Sequence, residues 1–134
     1  MKNTVIQDRD QVFAIFGMRV EEASTQYARV TMPIGSEYHN LNGMGVAQGG
    51  ATYSLADITF GVASNCEEET NTVTLSSSFH FLAPGKASPL TCEAKLVRGG
   101  RHIVTYDLVV RDAAGRLVAT GTFQGFRTQN LLPK

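Results

Sequence analysis

The stretch that decides the fold is LNGMGVAQGGATYSLADITFGVASN, Leu41–Asn65. Two adjacent glycines, Gly49 and Gly50, open a run whose apolar and small residues predict a helix over residues 48–64. On a wheel at about 100° per residue, most of its circumference is apolar, which is typical of a buried helix. One stripe, roughly 80° wide, holds only small or polar residues and must face another backbone, a ligand or water: Gly50, Ser54, Asp57, Gly61 and Ser64.

Asp57 is the only carboxylate in this helix, and a charged, unpaired carboxylate in an apolar setting is costly. One interpretation is a structural carboxylate bonded to neighbouring backbone or to a serine. The other interpretation is that Asp57 takes part in a reaction together with the helix start. The first N–H groups of a helix have no intrahelical partner and carry the positive end of the macrodipole, and Gly50 lets a ligand oxygen approach them closely. Such amides can form an oxyanion hole, and an acid on the same face can act as a base. A tight loop-to-helix turn is the alternative explanation of the glycines.

The rest of the sequence predicts one helix before this segment and strands on both sides of it. Residues 4–16 have apolar residues at helical spacing, with Asp8 or Asp10 as a cap and Gly17 at the end. Residues 18–34 alternate as two strands, and four more strands follow the long helix. The first of those four is predicted to alternate with one apolar row: Val73, Leu75, Phe79 and Phe81. Turns are predicted at Glu21–Thr25, Cys66–Asn71, Leu82–Pro89, Arg98–Arg101 and Asp112–Gly115.

This order indicates an α+β fold, in which an antiparallel sheet of about six strands surrounds one long helix. The 134 residues fit a single domain, residues 1–134. Twelve basic and twelve acidic residues cancel, which argues against broad nucleic-acid binding and is compatible with self-association. Cys66 and Cys92 lack metal or redox spacing, so we expect small buried residues in a reducing, cytoplasmic setting. The first residues are too polar for a signal peptide, and no apolar run approaches membrane-spanning length.

The segment Leu41–Asn65 resembles the hotdog-fold acyl-CoA thioesterases of the phenylacetate-degradation (PaaI-like) type. Their signature is approximately asparagine-glycine, a short spacer, His-Gly-Gly and then Leu-x-Asp on the central helix. The strands YARVTMPI and SFHFLAPG and the three closing strands stand in the expected order. The resemblance implies a hotdog fold and hydrolysis of acyl-CoA to free acid and CoA. It implies no cofactor apart from the coenzyme A of the substrate, no nucleic-acid or membrane partner, and a homodimer at least, with a homotetramer built as a dimer of dimers.

Carried over by position, the resemblance assigns roles to particular residues. The Gly50 N–H would bind the thioester carbonyl oxygen, Asn42 would assist from the loop, and Asp57 would act as general base or nucleophile. Thr74 would help to orient water. In such enzymes the acid and the oxyanion site usually come from different subunits. Substrate contacts are expected from Gly49, Ser54 and Thr74, and the CoA phosphates need cations, for which the candidates are Lys86, Arg98, Arg101 and Arg127. Solvated surface charge is the alternative for these four residues.

The sequence departs from the signature at Gln48, where the signature has histidine. A glutamine offers an amide donor and acceptor but cannot take up a proton near neutral pH. Two alternatives to hydrolysis therefore stay open: an acyl-CoA binder disabled by Gln48, and a hotdog hydratase or dehydratase, although no histidine accompanies Asp57. A purely structural oligomerisation module would leave the polar stripe unexplained. No metal or triad pattern includes the three histidines: His39, His80 and His102.

Overall fold

The computed structural model describes residues 3–67 and 71–128. Two short helices come first, and the long helix follows two strands: α1 (Val5–Arg9), α2 (Gln11–Ile15) and α3 (Gly49–Ser64). The strands are β1 (Arg19–Ala23), β2 (Tyr27–Met32), β3 (Thr72–Phe81), β4 (Leu90–Gly99), β5 (Ile103–Arg111) and β6 (Leu117–Arg127). A short 3-10 turn lies at Ser36–Tyr38 in the predicted loop. The predicted order of elements is confirmed.

All six strands form one antiparallel sheet in the order β1-β2-β4-β5-β6-β3, and α3 packs on β2, β3, β4, β5 and β6. The core lies between α3 and the alternating inward side chains of the strands. Phe60 of α3 packs edge-on against Tyr106, with ring centroids 5.5 Å apart, and lies tilted against Phe123 at 5.7 Å. Cys66 and Cys92 are buried, as expected. No helix in the described ranges is both long enough and apolar enough to span a membrane.

The predicted single helix over residues 4–16 is broken at Asp10. The backbone of Asp10 is extended (φ −75°, ψ 119°), which ends α1. Its carboxylate then accepts a 2.9 Å hydrogen bond from the Phe13 N–H, so Asp10 is the N-cap of α2. The cap was predicted correctly, but its consequence, two short helices in place of one, was not.

The predicted turn at Glu21–Thr25 is placed too early. Glu21, Glu22 and Ala23 belong to β1, and the chain reverses between Ala23 and Tyr27. Ser24 stabilises this turn, because its Oγ donates to the Tyr27 carbonyl and accepts from the Tyr27 N–H, both at 3.0 Å. The two polar glutamates suggested a turn, whereas pairing of β1 with β2 holds this part of the chain in an extended strand. The hairpin between β4 and β5 differs from the prediction in the same way. β4 runs on to Gly99 and β5 begins at Ile103, so the turn starts later than the predicted Arg98–Arg101.

The predicted apolar row of β3 is wrong because the strand contains a β-bulge. Pairing with β6 slips between Thr74 and Ser76, which leaves Leu75 as the extra residue. The bulge shifts the phase of the strand, so that Thr74 faces α3 and the next residues to do so are Ser77 and Phe79. Val73 and Leu75, expected to be buried, are instead 48% and 59% exposed. In the strand order β3 is an edge strand, so one of its sides carries no strand pairing among residues 3–67 and 71–128.

Candidate active site

The start of α3 leaves two backbone amides available. Gln48 is the N-cap: its Oε1 accepts from the Ala51 N–H at 2.8 Å, and its carbonyl accepts from the Thr52 N–H at 3.0 Å. The N–H groups of Gly49 and Gly50 lie in the first turn of the helix, where no carbonyl of α3 is in position to accept from them. Within the part of the chain that the structure describes, no acceptor is recorded for either amide. These two donors, at the positive end of the helix dipole, can therefore receive a ligand oxygen.

The two glycines differ in the space around them. A Cβ at Gly50 would lie 2.8 Å from Oε1 of Gln48, so glycine leaves room for the capping side chain to fold over it. A Cβ at Gly49 would lie 3.7 Å from the ring of Phe81, which is an ordinary contact distance. Glycine at position 50 thus accommodates the conformation of the Gln48 side chain, while Gly49 lies beside the aromatic ring at the end of β3.

Asn40 fixes the helix start relative to β2. This residue is only 1% exposed. Its carbonyl accepts from the Gln48 N–H at 2.8 Å, its Nδ2 donates to the Pro33 carbonyl at 2.8 Å, and its Oδ1 accepts from the Gly35 N–H at 3.1 Å. Asn40 was not predicted from the sequence, because an asparagine in a Gly- and Asn-rich loop has no distinguishing pattern. Its buried polar bonds show that it positions the two glycine amides indirectly.

Asn42 lies in the same loop, close to the helix start. Its Oδ1 accepts from the N–H groups of Met44 at 2.9 Å and Val46 at 3.2 Å, and so holds the turn of the loop. The side-chain oxygen is therefore occupied. The group left for a substrate is Nδ2, a hydrogen-bond donor, which suits an acceptor such as a carbonyl oxygen.

Asp57 faces β3, two turns beyond the glycines. Its Oδ1 accepts a 2.7 Å hydrogen bond from Oγ1 of Thr74. One turn earlier, the Tyr53 hydroxyl and the Ser77 Oγ lie 2.7 Å apart. Asp57 is half-buried and Thr74 is exposed, so this carboxylate is bonded yet open to solvent. The structure brings together Asp57 and Thr74, which the resemblance had placed in one site.

The small-residue stripe has an open half and a covered half. Gly50 is exposed and Ser54 half-buried, although the Ser54 hydroxyl donates to the Gly50 carbonyl at 2.8 Å and is bonded within its own helix. Further along, a Cβ at Gly61 would lie 3.0 Å from Cδ1 of Ile6, so α1 covers the stripe there. The accessible part of the stripe therefore extends from Gly50 to Asp57.

A pocket of about 600 Å³ adjoins the helix start. Its size falls within the range typical of small-molecule sites. Gly49 and Thr52 of α3 form one side, and Asn42 and Lys86 contribute polar side chains. The remaining wall is largely apolar: Met44, Val46, Ala47, Phe81, Leu82, Ala83, Pro84, Gly85 and Val118. Gly50 does not line the pocket, so of the two adjacent glycines at the helix start it is Gly49 that borders it.

The candidate cations are divided between the two ends of the sheet. Lys86 lies at the pocket, in the loop that leads into β4 at Leu90. Arg98 and Arg101 lie at or beyond the other end of β4, about 30 Å away for a strand of this length. A single subunit thus brings Lys86 to the pocket and leaves the two arginines remote from it.

Gly50 and Asp57 are also too far apart to act on one carbonyl within one subunit. Seven residues of helix separate them by about 10 Å along the axis, whereas an oxyanion donor and a base must both lie close to the reacting carbon. Within one subunit, Gly50 and Asp57 would therefore each have to work with some other group. Alternatively, a second subunit would place its own Asp57 close to Gly50.

Residues 44–119, more than half of the chain, match the family model of the thioesterase superfamily. The chain belongs to this superfamily. A relative from Archaeoglobus fulgidus, named "Putative esterase", is 31% identical and covers 92% of this chain and 79% of its own. The E. coli PaaI protein of the phenylacetic acid degradation operon superposes with a TM-score of 0.87 at 25% identity, covering 96% of this chain and 92% of its own.

A third similar protein is the "Hypothetical Thioesterase Protein" from Streptococcus pneumoniae, whose crystal structure is with coenzyme A. It has a TM-score of 0.80 at 27% identity and covers 95% of this chain and 99% of its own. These likenesses confirm the hotdog fold and the PaaI-like thioesterase resemblance. At the level of the family, they support thioester hydrolysis as the general activity.

Proposed function

We propose that this thioesterase hydrolyses acyl-CoA thioesters with Asp57 as the base that activates water. The observation that carries the proposal is the shared face of α3: two available amides at its start, and a carboxylate two turns on that is bonded by Thr74 and open to solvent. Donors for a developing oxyanion and a base for water are what ester hydrolysis requires.

The reaction follows from these groups. The thioester carbonyl oxygen accepts from the Gly50 N–H, with Gly49 and the Nδ2 of Asn42 close by. Asp57 takes a proton from water as the water oxygen attacks the carbonyl carbon. The tetrahedral oxyanion then collapses, the C–S bond breaks, and the thiolate of CoA leaves and takes up a proton. Thiolate is a good leaving group, so little acid assistance is needed. Direct attack by the Asp57 carboxylate, through an anhydride that water hydrolyses, is the alternative.

A homodimer completes this site. The midpoint between Gly50 and Asp57 falls at Tyr53 and Ser54, so a two-fold axis there would place Asp57 of each subunit opposite Gly50 of the other. Glycine and serine at the open stripe permit close approach of a second helix. The unpaired side of β3 offers a continuous edge for pairing between the same two subunits. A tetramer formed from two such dimers stays a prediction.

Coenzyme A as the leaving group is supported by the pocket and by a similar protein. The pocket begins at Gly49, the residue next to the Gly50 N–H that would bind the carbonyl, and has Lys86 in its wall. This arrangement suits a pantetheine arm that runs from the thioester to an anionic nucleotide. The hypothetical thioesterase protein of Streptococcus pneumoniae, whose structure is with coenzyme A, shares the fold over nearly its whole length.

Gln48 is compatible with catalysis in this geometry. Its Oε1 caps α3, which a glutamine does without gaining or losing a proton. The oxyanion donors in the proposal are amides, and the base is Asp57. The histidine of the family signature is therefore replaced by a group that keeps the helix start in place.

A thiol-release assay tests the proposal, with short, long, aryl and hydroxyaryl acyl-CoAs as substrates. Wild-type protein should release CoA thiol from at least one class, and Asp57→Asn should abolish turnover while keeping the wild-type melting temperature. Asp107→Asn, which changes an exposed aspartate of β5, is the matched control and should keep activity. Acyl-CoA binding without thiol release would instead identify a binder, and unchanged hydrolysis in Asp57→Asn would remove Asp57 from the mechanism.

A further inference from the structure

The loop that carries Lys86 is anchored on both sides of that residue. The Gly85 carbonyl accepts from the Ala47 N–H at 3.0 Å, which ties the loop to the residue just before the cap of α3. On the other side, the Ala87 carbonyl accepts from the Ala113 N–H at 2.9 Å. Lys86 therefore projects from a segment whose backbone is fixed at both neighbours.

Asp112, in the β5–β6 turn, organises the second anchor. It is 6% exposed. Its Oδ1 accepts from the N–H groups of Ala114 and Arg116, each at 3.0 Å, and its Oδ2 accepts from the Ala87 N–H at 3.4 Å. One side chain thus links the backbone of the turn to the backbone of the pocket loop.

The carboxylate is held in its charged form. Burial by itself raises the pKa of Asp112, but the backbone hydrogen bonds from Arg116, Ala87, Ala114 and Lys86 outweigh it and lower the pKa overall. Within the turn, Gly115 has a positive φ of 84° and Asp112 Oδ1 accepts from Ala114 and Arg116, so the contact that reaches the neighbouring loop is the one from Oδ2 to the Ala87 N–H.

The Lys86 ammonium is exposed at the pocket. In residues 3–67 and 71–128 no carboxylate forms an ion pair with it. A lysine whose backbone neighbours are anchored beside the pocket, and whose charge is not neutralised nearby, is suited to meet an anionic ligand there.

We infer that Asp112 is a positioning residue for substrate, which holds the Gly85–Ala87 loop so that Lys86 meets the phosphates of coenzyme A. This inference rests on the proposed function. It names Asp112, which touches no substrate, as a determinant of selectivity for CoA thioesters over thioesters without phosphates.

The test compares each acyl-CoA with the same acyl group on N-acetylcysteamine, a thiol without phosphates. We expect Lys86→Ala to lower the ratio of kcat/KM for the CoA ester to that for the N-acetylcysteamine ester by about three- to fivefold, as for one solvent-exposed ion pair. Asp112→Asn should lower the same ratio, through a higher KM. The matched controls Lys95→Ala and Asp107→Asn, which change exposed residues of β4 and β5, should leave the ratio as it is.

A double-variant cycle separates positioning from general damage. In the Lys86→Ala background, Asp112→Asn should lower the ratio no further, because Asp112 acts through Lys86. An equal loss for both esters in Asp112→Asn, or a further fall of the ratio in the double variant, would overturn the inference. If wild-type protein hydrolyses neither ester, the proposed function fails. In that case the Kd for CoA relative to pantetheine is measured in the same variants, and an unchanged ratio in Asp112→Asn overturns the inference by itself.

Discussion

Thr74 Oγ1 donates a 2.7 Å hydrogen bond to Asp57 Oδ1, across the gap between the edge strand β3 and the long helix α3. The bond exists because of the bulge at Leu75, which turns Thr74 towards the helix. It occupies one lone pair of the carboxylate and fixes its direction. The other oxygen, Oδ2, remains for a water molecule, which is the arrangement that a general base needs.

This relationship predicts the effect of changing Thr74. Thr74→Val keeps the shape of the side chain but removes the donor, so kcat should fall about tenfold, the value of one hydrogen bond to a charged group. Thr74→Ser keeps the donor and should retain most of the activity. Steady-state kinetics on one acyl-CoA measures both, and equal activities for the valine and serine variants would show that the hydrogen bond plays no part.

The amides at the helix start can be tested one at a time with proline, which removes an N–H. Proline is tolerated in the first turn of a helix. Gly50→Pro should lower kcat by about 10²–10³ relative to Gly50→Ala, which has the same Cβ and keeps the N–H. Gly49→Pro, compared with Gly49→Ala, tests the neighbouring amide in the same way.

The outcome of these pairs assigns the oxyanion donor. A large loss in Gly49→Pro alone would move the role from Gly50 to Gly49. Equal activities of proline and alanine variants at both positions would exclude the helix start. Gly50→Ala should itself lose some activity. Its new Cβ would lie 2.8 Å from Oε1 of Gln48, which is too close, so the capping side chain would have to move. Melting curves identify any variant whose loss comes from unfolding.

Gln48 predicts a feature of the pH profile. Because its amide does not titrate, residue 48 should contribute no inflection in kcat near neutral pH. Gln48→His should introduce one near pH 6.5, about the ordinary pKa of histidine, since protonation removes the acceptor that caps Ala51. Superimposable profiles for the two proteins between about pH 5 and 8 would show that the cap and the chemistry are independent.

Two buried groups predict a loss of stability in alkali. Burial raises the pKa of the Cys92 thiol to about 12 and that of the Tyr106 hydroxyl to about 12. Both groups stay neutral when folded but ionise from about pH 9 and 10 when unfolded. The unfolded state therefore binds fewer protons, and the free energy of unfolding falls as the pH rises from about 9 to 12.

Urea unfolding at a series of pH values measures this loss. Below pH 9 the contribution should be constant, and above it Cys92→Ala should show a shallower fall than wild type. The alanine variant starts from a lower stability because a buried atom is lost, so slopes are compared rather than absolute values. Parallel slopes for the two proteins would contradict the assignment.

Much of the fold was predictable because its signals are local. The period of apolar residues located α3, the double glycine marked its start, and the polar stripe singled out Asp57. The alternation within residues 18–34 likewise located β2, whose buried residues are Ala28, Val30 and Met32. Such patterns depend on the period of one element and need no knowledge of its partners.

What was not predictable depends on pairing between distant segments. The bulge at Leu75 arises from the register of β3 on β6, and without it the alternation would place Thr74 on the other face, away from α3. Asn40 and Asp112 act through backbone groups that only the folded chain brings near them. The distance of Arg98 from Lys86 also follows from the length of β4 rather than from any motif.

The central claim is hydrolysis at a site that two subunits share, and subunit mixing tests it most directly. Asp57→Asn and Gly50→Pro should each be inactive as homodimers while melting as the wild type does. After co-refolding in equal amounts, half of the dimers are mixed and carry one intact site of two, so thiol release should recover to about a quarter of the wild-type rate. Mixtures that stay inactive, although mixed dimers are shown to form, would contradict the shared site.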